Sequence, residues 1–169
     1  MSLGTQGGTD RQRSTQGGAM DAGLAPGTGT PSPRWEHLDR GTERVVRGSG
    51  RTVEEALEQA AVALCALVAD PSTVEVREEV TVECDARDFD HLLANWLRAV
   101  IHNMAARRLR FRCFAVRLDG WRLFASAFGE HLDPARHQGA VDPRGFSLAG
   151  PSVRRDADGR WTAECEVDV

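Results

Sequence analysis

Apolar residues recur at Val53, Ala56, Leu57, Ala60, Ala61, Leu64, Leu67 and Val68, which is the spacing of one helix face, while Glu54, Glu58 and Gln59 fall opposite. Thr52 precedes the run and Glu55 stands three residues on, forming a capping box whose cap alone contributes about 1 kcal/mol. Asp70-Pro71 ends the helix, because a residue before proline is pushed out of the helical region. A second helical stripe runs through Phe89, Leu92, Leu93, Trp96, Leu97, Val100, Ile101 and Met104, capped by Asp88 or Asp85. At about 1.5–3 kcal/mol per large buried side chain, it is the heaviest contributor to the core.

Elsewhere the period is two. Trp35 onward reads as a short strand, a polar acidic turn and a second strand leading into the first helix. Val74 to Asp85 alternates, with a kink expected at Glu78-Glu79. Leu109 to Leu118 alternates in two competing phases, so a slip or bulge is expected there. Asp119-Gly120 is a hairpin turn, and Trp121 to Phe128 is the return strand. Gly129 to Gly145 is polar and irregular. Phe146 to Arg154 is a weak strand whose Pro151 demands an edge or a bulge. Trp161 to Val169 alternates cleanly, with Thr162, Glu164, Glu166 and Asp168 on one face.

Two helices and six or seven strands, with hairpins late in the chain, predict an α+β two-layer sandwich. Both main helices should cover one face of a mixed, mostly antiparallel sheet. Residues 1–33 read as a separate disordered tail. It carries eight of the 17 glycines with Ser, Thr, Gln and Pro between them, and cannot bury enough surface to offset its ordering entropy. Met20 is an alternative start. The domain is expected to span residues 34–169.

Charge narrows the function classes. The formal net charge of −4 argues against a generic nucleic-acid binder, so no strong direct nucleic-acid binding is expected. Arg107, Arg108, Arg110 and Arg112 look basic enough for an RNA patch, but their place after a helix C-terminus suits its dipole. No run of 18 apolar residues is present, so no membrane span is expected. Cys65, Cys84, Cys113 and Cys165 make no C-x-x-C pair. Each sits in an apolar pattern, as buried hydrophobes in a reducing compartment would.

Phosphate-binding glycine loops, nucleophile elbows and zinc-helix motifs are missing from the sequence. The remaining candidate chemistry is acidic: Asp39 and Glu43 in the first turn, Glu130 and Asp133 with His137 in the irregular loop, and Asp168 next to the last residue. Hard oxygen ligands of this kind suit Ca²⁺ or Mg²⁺. Most surface carboxylates simply face water, so a cation site requires Glu43 and Asp168 to meet in the fold.

From about Trp35 to Val169 the chain resembles the archease family. The resemblance rests on WEHLD, the helix TVEEALEQAAVALCALVAD, the helix DFDHLLANWLRAVI, the loop GEHLDPARH and the ending GRWTAECEVDV. It implies a cytoplasmic accessory protein, not an enzyme, that assists a GTP- and manganese-dependent 3′-phosphate RNA ligase in tRNA splicing and RNA repair. That protein–protein partner would be helped through guanylylation of its active-site histidine and repeated turnover. The resemblance also implies a divalent cation, Ca or Mg, on Glu43 and Asp168.

The family's first metal motif, His-Thr-Ala-Asp, aligns with Arg40, Gly41, Thr42 and Glu43, so the carboxylate is one methylene longer here. Gly129, Glu130, Asp133 and His137 match the family's loop. The family lysine and histidine that follow it are replaced by Asp142 and Ser147. An aspartate in place of that lysine is expected to add repulsion, on the order of 1 kcal/mol per close pair. This motivates a second reading, a binding module of the same fold that has lost metal binding and ligase activation. A third, a small metal-dependent hydrolase, has only His137 as its base.

Overall fold

The computed structural model describes residues 32–169; the segment read as a separate tail lies almost wholly outside the described residues. Seven strands and two helices follow in the order β1 (Arg34–Arg40), β2 (Glu43–Gly50), α1 (Val53–Val68), β3 (Glu78–Asp85), α2 (Phe89–Ala106), β4 (Leu109–Asp119), β5 (Arg122–His131), β6 (Ser147–Arg155) and β7 (Trp161–Asp168). Single 3-10 turns at Pro71–Thr73 and Pro143–Gly145 interrupt the connections.

The expected α+β architecture is present, with both helices packed on antiparallel sheet. The strands divide between two sheets, in the orders β1-β2-β7-β6 and β3-β5-β4, and the pairing among the described residues is antiparallel throughout. Each helix touches both sheets: α1 lies against β2 and β7 on one side and β4 on the other, and α2 against β6 and β3. The shared core holds Leu57, Leu64, Leu92, Leu93, Trp96, Leu97 and Phe111 at 2 % exposure or less. The Trp96 indole N–H, which would otherwise be stranded, donates to the Leu57 carbonyl at 3.0 Å.

The Thr52 cap forms as expected, while the reciprocal Glu55 bond falls one residue earlier than a capping box predicts. Thr52 accepts from the Glu55 N–H at 3.1 Å and the Glu55 carboxylate accepts from the Arg51 N–H at 2.7 Å. Asp88, not Asp85, caps α2 through the His91 N–H. The two-phase strand does slip: register shifts between Phe111 and Cys113 in β4. That slip turns Cys113 outward, against the expectation that all four thiols are buried. Cys65 and Cys165 are buried, and Cys84 is half-buried. β6 is an edge strand with its irregularity between Ala149 and Ser152, around Pro151. Residues 74–77 are not strand; β3 begins at Glu78, the expected kink.

Alternation fixes which face of the four-stranded sheet meets the helices. Gly48 packs against the α1 backbone, so Val46, Gly48 and Gly50 point inward. Positions 43, 45, 47 and 49 of β2 and the even positions of β1 and β7 therefore share the outer face.

Candidate carboxylate site

The first hairpin turns at Gly41, whose φ of +67° requires the left-handed region that glycine tolerates. Glu43 opens β2 immediately after it. β2 and β7 pair antiparallel with Arg44 opposite Val167, so one further step sets Glu43 opposite Asp168. Glu166 is the next outward residue along β7. The two carboxylates read from the sequence are thus brought together at one end of the outer sheet face, and Glu166, which the sequence left on a merely wet face, joins them.

Their electrostatics follow from that placement. The Glu43 carboxyl is pushed up from its usual range, first by the negative charge and closeness of the Glu166 carboxyl, then by partial desolvation and by the charge of Asp168. Among the described residues, Glu43, Glu166 and Asp168 form no ion pair. Arg40 sits across from Glu43 but turns to Glu164 at 3.0 Å.

Among the described residues no group of three or more His, Cys, Asp or Glu side chains is gathered tightly enough to enclose a metal ion. Glu43, Glu166 and Asp168 instead form an open group of mutually repelling carboxylate oxygens, the donor type that hard divalent cations prefer.

The other acidic candidates go elsewhere. Asp39 lies within β1 opposite Arg44, on the face away from Glu43. Glu130 is buried in β5, where it accepts both Arg136 Nη atoms at 2.7 and 2.6 Å and the Glu75 N–H at 3.0 Å. His137 is 2 % exposed and held at both ring nitrogens: the Asp133 N–H donates to Nδ1 at 2.9 Å, so Nε2 carries the proton and donates to Glu130 at 3.0 Å. Glu130, Asp133 and His137 therefore form a loop clasp, with no free base among them.

Asp142 does not repel the carboxylate site as its replacement of a lysine suggested. It pairs with Arg144 (Nε at 2.8 Å) and faces the buried Arg110, which hold its carboxyl down to about 2. Arg110 itself is turned inward at 5 % exposure, so the four arginines after α2 are not one surface patch. Ser147 stands beside Asp168 in the β6–β7 register.

These features define a small α+β protein with an exposed carboxylate cluster where its opening hairpin meets its last strand. The Archease protein family matches residues 35–169, and the chain belongs to that family. It is 34% identical over 142 residues to the protein archease of Pyrococcus abyssi, covering 80% of this chain and 99% of that one. A similar protein archease from Methanopyrus kandleri is 32% identical over 139 residues, with 80% and 99% covered. The solution structure of Methanobacterium thermoautotrophicum protein 1598 superposes with a TM-score of 0.59 at 25% identity, over 80% of this chain and 98% of that chain. No helix among the described residues is long and apolar enough to cross a membrane.

The charge on Glu43 yields a sign test for the cation. Its folded pKa lies above the unfolded value, so the repulsion destabilises the fold as pH rises through that range and vanishes below it. Without divalent ions at pH 7, Glu43→Gln is expected to melt higher than the parent, with the difference gone below pH 4. In saturating Ca²⁺ the order should reverse, because the parent alone gains from binding. Identical calcium responses in the two proteins, read by thermal melts, would remove Glu43 from any cation site.

Proposed function

We propose that this chain is an accessory protein that activates a GTP- and manganese-dependent RNA ligase, promoting guanylylation and repeated turnover in tRNA splicing and RNA repair. The observation that carries this reading is the convergence of Glu43, Glu166 and Asp168 on one exposed sheet end in a chain of the archease family. Glu43 and Asp168, with Glu166 beside them, would hold a divalent cation, Ca or Mg. When bound, that ion supplies positive charge at a surface patch that is otherwise negative. The chain's own residues would position it: the Gly41 turn and the β2–β7 register hold Glu43 and Asp168 side by side, and Ser147 on β6 flanks Asp168. The same reading makes the chain an assistant and not a catalyst, and places it in the cytoplasm, where its four free thiols stay reduced.

The test is ligase guanylylation, with the RNA ligase of the same genome and GTP. The chain is expected to raise the yield and to allow many turnovers, and Asp168→Ala is expected to lose at least tenfold of that stimulation. No stimulation with Mg²⁺, Ca²⁺ or Mn²⁺ would reject the proposal. It would favour the second reading, a fold-sharing binding module without a cation, for which the capture of Asp142 by Arg144 in place of a free lysine is the specific support. Both nitrogens of His137 are engaged, which speaks against the hydrolase reading.

A further inference from the structure

The outer face of the four-stranded sheet is polarised along its strands. The carboxylate cluster occupies one end. At the other, β-pairing sets Arg34, Ser49, Thr162 and Arg154 in a single row across all four strands, and residues directly opposite one another share a face. Three strand spacings separate the outer two arginines, roughly 14 Å. Arg160 flanks the row from the β6–β7 hairpin, with Arg155 at the rim beside Trp161, and the whole lines a groove of about 560 Å³. Six arginines meet four carboxylates there, although the full chain is net negative at −4.

The middle of the groove is self-neutralised. Arg47 lies between Glu164 at 2.6 Å and Glu36 at 3.1 Å, and Arg40 also reaches Glu164. The arginines of the far end have no such carboxylates. Among the described residues the Arg154 side chain donates only to the Ser152 hydroxyl at 2.9 Å, and the Arg155 side chain only to the Gly159 carbonyl at 3.5 Å, lying over the Trp161 ring. Arg34 makes no ion pair among the described residues. Arg160 makes no side-chain hydrogen bond or ion pair among the described residues, and its Nε and Nη2, covered in this conformation, lack an acceptor. Guanidinium groups left unpaired in this way are the ones available to phosphate oxygens. The neighbouring Asp156 turns its Oδ1 to the N–H groups of its own turn, Asp158 at 3.0 Å and Arg160 at 2.9 Å.

We infer that the row Arg34–Thr162–Arg154, with Arg160, binds the sugar-phosphate backbone of a single nucleic-acid strand lying across the outer sheet face. A spaced line of guanidinium groups with hydroxyls between them matches repeated phosphates. The groove is open and shallow, as a polymer requires, whereas a small anion calls for an enclosed pocket. Net charge predicted no strong nucleic-acid binding because it averages this end with the acidic end. The inference adds a nucleic-acid contact to the proposed role at a different end of the sheet, so each can fail alone.

The test is fluorescence anisotropy of a labelled 12-nucleotide oligouridylate with the full chain alone, in EDTA, without ligase. Binding at 50 mM salt is expected to weaken roughly 20-fold by 200 mM, the slope of about three phosphate contacts. The double variant Arg154→Ala/Arg160→Ala should lose at least tenfold in affinity and most of that slope, with its melting temperature checked for folding. Arg87→Ala/Arg117→Ala, outside this sheet, should bind as the parent does. Absence of binding at 50 mM salt, equal loss in both double variants, or equally tight capture of poly-glutamate would overturn the inference. A failure here leaves guanylylation unaffected, and failed guanylylation leaves this binding unaffected.

Discussion

Gly48→Ala is expected to lower the melting temperature by 10 °C or more. A Cβ at this position would lie 2.1 Å from the Ala60 nitrogen and 2.3 Å from the Ala56 oxygen, both backbone atoms of α1. No rotamer change can relieve a clash with backbone, so α1 must back away from β2. Ala56, Leu57, Ala60 and Ala61 are fully buried along that contact. Moving the helix therefore loosens its packing against both sheets at once. Overpacking a close-packed interior costs typically about 1–3 kcal/mol and more where nothing yields; about 4 kcal/mol here corresponds to roughly 10–15 °C for a domain of this size. Thermal denaturation followed by circular dichroism measures it, and a shift below 3 °C would show that α1 accommodates the methyl group without cost. The same contact matters to the carboxylate site, since β2 carries Glu43 at its far end.

Gly48 illustrates what the sequence could not disclose. A glycine in a strand reads as a weak point, and only the helix packed on it shows that the missing Cβ is a requirement. The helices were legible because each carries two agreeing signals, a 3.6-residue stripe and a capping side chain. The β4 slip was legible because two phases competed within Leu109–Leu118. The division into two sheets was not, because alternation tells which residues share a face and nothing about which strand lies alongside.

The site divides similarly. Glu43 and Asp168 were identified through family resemblance, and the β2–β7 register supplies the physical reason they meet. Glu166 was missed although it shares Asp168's face, since only pairing across strands reveals its neighbour. The loop from Gly129 to Gly145 misled most. A polar, irregular segment ordinarily faces water, yet Glu130 and His137 are among its most buried residues, at 3 % and 2 % exposure. Polar composition predicts exposure only when polar groups do not satisfy one another, and here they do.

Glu130→Gln should therefore be costly despite changing only one atom and one charge. Glu130 gathers a bidentate Arg136, the Nε2–H of His137 and the backbone N–H of Glu75, with Arg77 at 3.4 Å. An amide keeps one acceptor oxygen and turns an NH₂ group toward the guanidinium, leaving Arg136 facing a donor. Breaking a buried charged pair on one side costs about 3 kcal/mol, or roughly 10 °C in melting temperature for a domain of this size. The pH dependence identifies the cause. The side-chain hydrogen bonds from Arg136 lead in holding the Glu130 carboxyl down to about 2, against an ordinary 4.5. A depressed carboxylate contributes its full stability above about pH 4.5 and loses it as pH falls toward 2. The gap between parent and variant should thus be widest at neutral pH and should close toward pH 2–3. Hydrogen exchange at neutral pH should rise through residues 131–146, the segment that the clasp ties down before it delivers Ser147 to Asp168. A gap that stays constant from pH 7 to pH 3 would mean the loss comes from packing and not from the charge.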